Sequence, residues 1–184
     1  AGGSIVMANS STVESQLGGV RFSSNSAGSN SGAISIGEGA AINSHGGSIL
    51  LAGGDPFGTG DAVGTYDNPH GVSIFGGSIV SNGGNITIRG KGGIAYLYAS
   101  GVSINNGAAI SGGSGAISIV GTGNSYPGID VDGSSHVETH SGAITLVASS
   151  TDGAALHSDG QIISNGGNIN LQVNGDIDIS GILR

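Results

Sequence analysis

One ten-residue phrase occurs twice in this chain and fixes most of what it can become. Ile79-Val80-Ser81-Asn82-Gly83-Gly84-Asn85-Ile86-Thr87-Ile88 returns near the C-terminus as Ile162-Ile163-Ser164-Asn165-Gly166-Gly167-Asn168-Ile169-Asn170-Leu171, with the central Ser-Asn-Gly-Gly-Asn-Ile identical. A looser form (small residue, Gly, any residue, Ile, any residue, Ile or Leu) recurs at residues 31–36, 46–51, 83–88, 114–119, 141–146 and 166–171. Apolar and polar positions alternate within it, the period of a strand with one face buried. The flanking glycines open backbone angles that other residues avoid, so each phrase reads as a strand entered through a tight corner. Repetition of this kind takes precedence over other signals in choosing an architecture.

A second apolar word lies upstream of most copies: Ile34 precedes Ile49, Ile74 precedes Ile86, Ile104 precedes Ile117, Ile129 precedes Ile144 and Leu156 precedes Ile169. Between them sits a minimal third strand at residues 40–42, 78–80, 108–110, 136–138 and 161–163. One unit is therefore three short strands. Matching positions Ile74, Ile104, Ile129, Leu156 and Ile177 lie 30, 25, 27 and 21 residues apart, which is solenoid spacing; a sandwich needs longer strands and hairpin turns. The fold expected is all-β: a parallel β-helix (β-solenoid), three short strands per rung, of about six or seven rungs, right-handed by the rule for parallel connections. Strands stacked at roughly 4.8 Å give a rod on the order of 30 Å long.

With 39 glycines in 184 residues, a disordered linker is the competing reading. It fails because hydrophobic residues are 36% of the chain and evenly spaced, mostly β-branched aliphatics suited to strands. Residues 1–184 read as a single domain in which 1–30 form irregular first rungs, with strands at 5–7, around Val13 and at 20–22. Residues 55–70, holding two of the three prolines, and 121–128, with Pro127, read as inserted loops; 94–98 reads as a fourth strand lengthening its rung.

The repeats at 79–88 and 162–171, with the closing Asn174-Gly175-Asp176-Ile177-Asp178-Ile179-Ser180-Gly181, resemble those of filamentous-haemagglutinin-type exoproteins, the large right-handed β-helix adhesins of bacterial two-partner secretion. The resemblance covers residues 31–184. It implies an extracellular, secreted protein of the bacterial cell surface, and a structural or adhesive role rather than catalysis.

Chemistry-bearing motifs are few. Residues 58–64 miss the dinucleotide-binding spacing and precede no helix, and Gly90-Lys91-Gly92 lacks the rest of a nucleotide loop, so both read as corners. His136, Glu138 and His140 would share one face of a strand, the side-chain set of a two-histidine, one-carboxylate zinc site; the plainer and stronger reading is a solvated outward face. Asp130 with Asp132 could offer oxygen ligands to calcium but lack the ligand number of a calcium loop, and solvent-facing acids are the better reading, as they are for Asp176 with Asp178. No cofactor is expected. Phe57, Tyr66 and Tyr126 lie in the insertions, where loops on a rigid scaffold carry contacts to glycan or protein.

Twelve acids against four bases give a net charge of −8, which repels phosphate backbones and anionic headgroups, and no run is long enough to span a bilayer. There is no cysteine, hence no disulfide framework. No capping segment is evident at either end, so the expected partners are the rest of a larger adhesin, or further copies stacked end to end into a fibre. The function expected is a non-catalytic rod module of an extracellular adhesin or filament, touching a glycan or protein on a host or neighbouring cell. The alternative is a carbohydrate-active β-helix, lyase- or glycoside hydrolase-like, or a glycan-binding module. That reading needs acidic residues to converge in a groove beside residues 121–140.

Overall fold

The computed structural model describes residues 3–24, 31–54, 59–94 and 98–184, in which nineteen strands and no helix occur. They wind into a β-solenoid of six full rungs, each of three strands, with two strands of a seventh. On the first face Ile5, Ile34, Val72, Val102, Ile129, Leu156 and Ile177 stand in one parallel register column. On the second the column is Val13, Ile42, Ile79, Ile110, Val137, Ile162 and Leu183. On the third it is Val20, Ile49, Ile86, Ile117, Ile144 and Ile169. The first and third faces join into one twelve-stranded sheet because Ile144–Ser158 and Ile169–Ile179 run continuously around the corner between them.

These columns are the core. Among the described residues, eleven of the twelve largest fully buried side chains are isoleucine and one is Leu51, and no aromatic side chain is buried. A β-branched side chain has one stiff conformation that fits the pleat, so identical residues in register pack methyl on methyl from rung to rung. Each such burial contributes about 1.5–3 kcal/mol relative to exposure.

The three corners differ. Val13 to Val20, Ile42 to Ile49, Ile79 to Ile86, Ile110 to Ile117, Val137 to Ile144 and Ile162 to Ile169 are each seven residues apart, so the corner from second to third face is invariant in length. It is built from a glycine stack. A methyl placed on Gly47, Gly84, Gly115, Gly142 or Gly167 would lie 2.0–2.3 Å from the carbonyl oxygen of Gly18, Gly47, Gly84, Gly115 or Gly142 respectively, one rung below. Just inside runs a hydroxyl column. Ser44 donates to the Gly47 carbonyl, Ser81 to Gly84 at 2.5 Å and Thr139 to Gly142 at 2.5 Å, while Ser164 donates to Gly142 at 3.0 Å. The corner from third to first face varies instead: Ile144 to Leu156 is twelve residues and Ile49 to Val72 is twenty-three.

Several sequence expectations are corrected. Ile104 pairs with Ile74 and Val131, not with Ile129; Val102 is the partner of Ile129. The slip is two residues, which keeps every side chain on its face and is therefore silent in an alternation pattern. Residues 31–36 carry the third-face word, yet Ile34–Ile36 lies on the first face, in keeping with the place of Ile34 upstream of Ile49. Residues 3–24 are regular: Ile5–Met7, Thr12–Glu14 and Val20–Ser24 pair in full with the second rung. Within 55–70, Ala62–Val63 is a strand paired with Gly90 and Lys91, so this part belongs to the coil. Within 121–128, residues 121–123 continue the strand Ile117–Gly123, which pairs with residues 144–150. Its buried positions there are Gly121 and Gly123, so the burial alternation persists where hydrophobicity cannot display it. No fourth strand is found among the described part of 94–98: Ile94 sits in a turn with 89% of its surface exposed, and residues 95–97 lie outside the described residues.

Candidate functional site: an acidic cleft on the variable corner

The outward side of the first face carries Ser73, Ser103, Asp130, His157 and Asp178 in consecutive rungs, set in one column by the same register that stacks the core. Strand alternation puts them outside because Ile129, Val131, Leu156 and Ser158 point in. Two corner segments wall the lower half. Residues 124–128 are tied by Asn124 N–H to the Ala99 carbonyl at 3.0 Å, and Ser150 Oγ donates to the Tyr126 carbonyl at 2.8 Å. Between them lies a cleft of about 340 Å³ lined by Tyr126, Pro127, Asp130, Asp132, Ala154, His157 and Asp159.

The electrostatics are specific. His157 Nδ1 lies 2.7 Å from Asp130 Oδ1, and its Nε2 lies 3.6 Å from Asp159 Oδ1. The hydrogen bond to Asp130 raises the imidazole above its ordinary range; partial burial opposes this, and the charges of Asp130, Asp159 and Asp178 add to it. Asp132 caps the corner between first and second faces. It accepts from Asn106 N–H at 2.7 Å, Ser134 N–H at 3.1 Å, Ser134 Oγ at 2.9 Å and Ser135 Oγ at 2.7 Å. Desolvation works to raise this carboxyl, but the four hydrogen bonds together outweigh it and hold it below its ordinary value. His70, near Asp130, is half-buried; its Nδ1 accepts the Ser100 N–H at 3.1 Å, and desolvation lowers its pKa despite the opposing charge of Asp130.

The structure thus brings Asp130, Asp132 and Tyr126 together. Tyr126 also meets Tyr98 edge to face, ring centres 5.6 Å apart, which makes an aromatic rim. Tyr66 sits on the turn closed by Thr65 N–H to the Asn68 carbonyl and does not line this cleft; Phe57 lies outside the described residues. His136, Glu138 and His140 are not gathered into a site. His136 and Glu138 do share the outward side of the second face, but His136 stacks on Ala109 and Gln161, and Glu138 on Ser111 and Ile163, so neighbouring rungs add no further ligand. His140 lies beyond the strand, exposed on the next corner. Among the described residues no group of three or more His, Cys, Asp or Glu is arranged to hold a metal ion.

His157 and Asp159 escaped the sequence reading because they lie far from Asp130 and Asp132 along the chain. The signal was present. Ile129 and Leu156 are one rung apart, and stepping from Asp130 and Asp132 by the same 27 residues lands on His157 and Asp159. No family model, curated protein or solved structure matches the chain.

Proposed function

We propose that this chain is a non-catalytic rod module of a bacterial extracellular adhesin or filament, similar in role to the filamentous-haemagglutinin-type exoproteins its repeats resemble. The observation that carries the reading is the contrast between faces. The aliphatic columns are unbroken through six rungs, most outward positions are small and polar, and Tyr126 gathers with Asp130, Asp132, His157 and Asp159 in a cleft on one edge. Such a body is stiff because each strand is bonded to the rungs above and below, and it offers a partner little except that edge. The partners proposed are the rest of a larger adhesin or further copies of the chain, with a glycan or protein on an apposed cell surface. Negative-stain electron microscopy of the 184-residue chain across a concentration series tests the reading. Straight rods, single or joined into filaments, support it; compact particles without a long axis would sink it.

A second reading has its own observation. Acidic residues and Tyr126 converge in a cleft beside residues 121–140, the arrangement a carbohydrate-binding or carbohydrate-cleaving β-helix requires. Binding is the better supported form. Asp132 is committed to four hydrogen bonds, and both ring nitrogens of His157 face carboxylates, so neither group directs a proton at a substrate. Incubation with a panel of polysaccharides separates the cases: new reducing ends or unsaturated products that vanish in Asp130→Asn would make the chain an enzyme. Retention of a glycan without turnover, lost in Tyr126→Ala, would make the cleft a binding site.

A further inference from the structure

His157 occupies a peculiar place in its column. It can carry positive charge between Asp130, Asp159 and Asp178, and those three carboxylates belong to three different rungs. Asp130 is in the strand Ile129–Val131 of rung five, Asp159 follows His157 in rung six, and Asp178 stands opposite His157 in the adjacent strand of rung seven. Asp159 is tied onward, because Ser180 Oγ of rung seven donates to its Oδ1. Asp132 and Tyr126 line the same cleft, and none of the residues lining it is Lys or Arg. Asp132 is stabilised as a carboxylate by its corner donors rather than by His157. The charge of Asp130 also reaches His70, whose pKa desolvation nevertheless lowers.

We infer that His157 is a proton-operated tie: charged, it binds rungs five, six and seven together through Asp130, Asp159 and Asp178, and neutral, it leaves three stacked carboxylates repelling one another across the same rungs. The alternating acid, imidazole, acid column is what makes the device, since like charges directly opposite in a sheet destabilise and opposite charges stabilise. Because the folded-state value is raised above 6.5, the stabilisation is fully present below that pH and is lost as pH rises through the folded value. The rungs joined by His157 should therefore hold together best in mildly acidic surroundings, while the first rungs, which carry no such column, should not respond.

Amide hydrogen exchange at single residues reads this out. The reporters are Ser180 N–H, bonded to the Ser158 carbonyl of rung six, and Asp159 N–H, bonded to the Val131 carbonyl of rung five. Gly37 N–H, bonded to the Met7 carbonyl, serves as the internal reference in the first rungs. After correction for intrinsic exchange, protection at Ser180 and Asp159 relative to Gly37 should fall between about pH 5 and about pH 8 in the native chain, and this fall should be absent in His157→Gln. Asp178→Asn, which keeps the bond from His157 to Asp130, should weaken the fall at Ser180 and serves as the test if His157→Gln does not fold. An unchanged pH response in either variant, or no response in the native chain, overturns the tie.

Discussion

Replacing Gly115 with alanine puts the glycine stack under direct load. Its φ is not in the left-handed region, so glycine is needed there for closeness rather than for backbone freedom. The new methyl would lie 2.0 Å from the Gly84 oxygen and 2.5 Å from the Gly84 carbonyl carbon. Carbon–oxygen contact wants roughly 3.4 Å, so rungs three and four must part by about 1.4 Å at this corner. A methyl fixed to the backbone has no rotamer through which to escape. Three hydrogen bonds cross the same gap: Gly83 N–H to the Gly112 carbonyl at 3.0 Å, Ile86 N–H to the Ala116 carbonyl at 2.9 Å and Ala116 N–H to Asn85 Oδ1 at 3.0 Å. Stretched by that amount they no longer count as bonds, a loss of about 1 kcal/mol each. Overpacking adds about 1–3 kcal/mol, and the stiffer unfolded chain returns about 0.4–1 kcal/mol. The net is roughly 3–5 kcal/mol, or a fall in melting temperature on the order of 10 °C for a domain of this size. Gly133→Ala is the matched control, since its methyl makes only ordinary contact with Asp159, at 3.7 Å from Cβ and 3.8 Å from the carbonyl oxygen, and its φ is likewise outside the left-handed region. Thermal and urea unfolding of both variants decide the matter. If Gly115→Ala unfolds within about 1 kcal/mol of Gly133→Ala, the stack is not what holds this corner.

Two further outcomes follow from single residues. Ser158 occupies the inward column between Val131 and Ile179, fully buried, with no partner for its hydroxyl; Ser158→Val should raise stability by about 1–2 kcal/mol in urea unfolding, and a loss of stability would show that the position has no room for the methyls. Asp132→Ala should lower the melting temperature near neutrality, with the difference from the native chain shrinking as pH drops below about 4, because a depressed carboxyl contributes above its unfolded value and ceases to contribute as it is protonated. A difference that stays constant across pH would remove Asp132 from its capping role.

What the sequence disclosed was what repeats locally. The Ile-x-Ile alternation and the seven-residue second corner are written in every unit, and they suffice for the strands, the faces and the solenoid. What depends on neighbouring rungs was hidden. Ser81 to Ile86 and Ser164 to Ile169 are identical and occupy the same corner, yet Asn82 and Gly83 have φ of 55° and 129°, whereas Asn165 and Gly166 are not left-handed. Their surroundings differ: Gly83 N–H bonds to the Gly112 carbonyl of the following rung, while Asn165 N–H bonds to the Thr139 carbonyl of the preceding one. The cleft was legible by half for the same reason. Asp130 and Asp132 are adjacent in the chain and could be read as a pair, but His157 and Asp159 join them only through the register between rungs, which alternation leaves free to slip by two residues.

The unequal corners give the molecule a division of labour around its circumference. A residue added between second and third faces must break the glycine stack in every rung it touches, so change there is tolerated only as whole rungs gained or lost. Between third and first faces the chain spans anything from eight residues, Ile169 to Ile177, to twenty-three, Ile49 to Val72, with the columns on either side kept in register. Change in length at that edge is therefore compatible with an unchanged set of stacked columns. For the same reason a foreign epitope or binding loop spliced near Gly153, where a side chain would meet nothing within 4 Å, has a place to stand that the coil does not need.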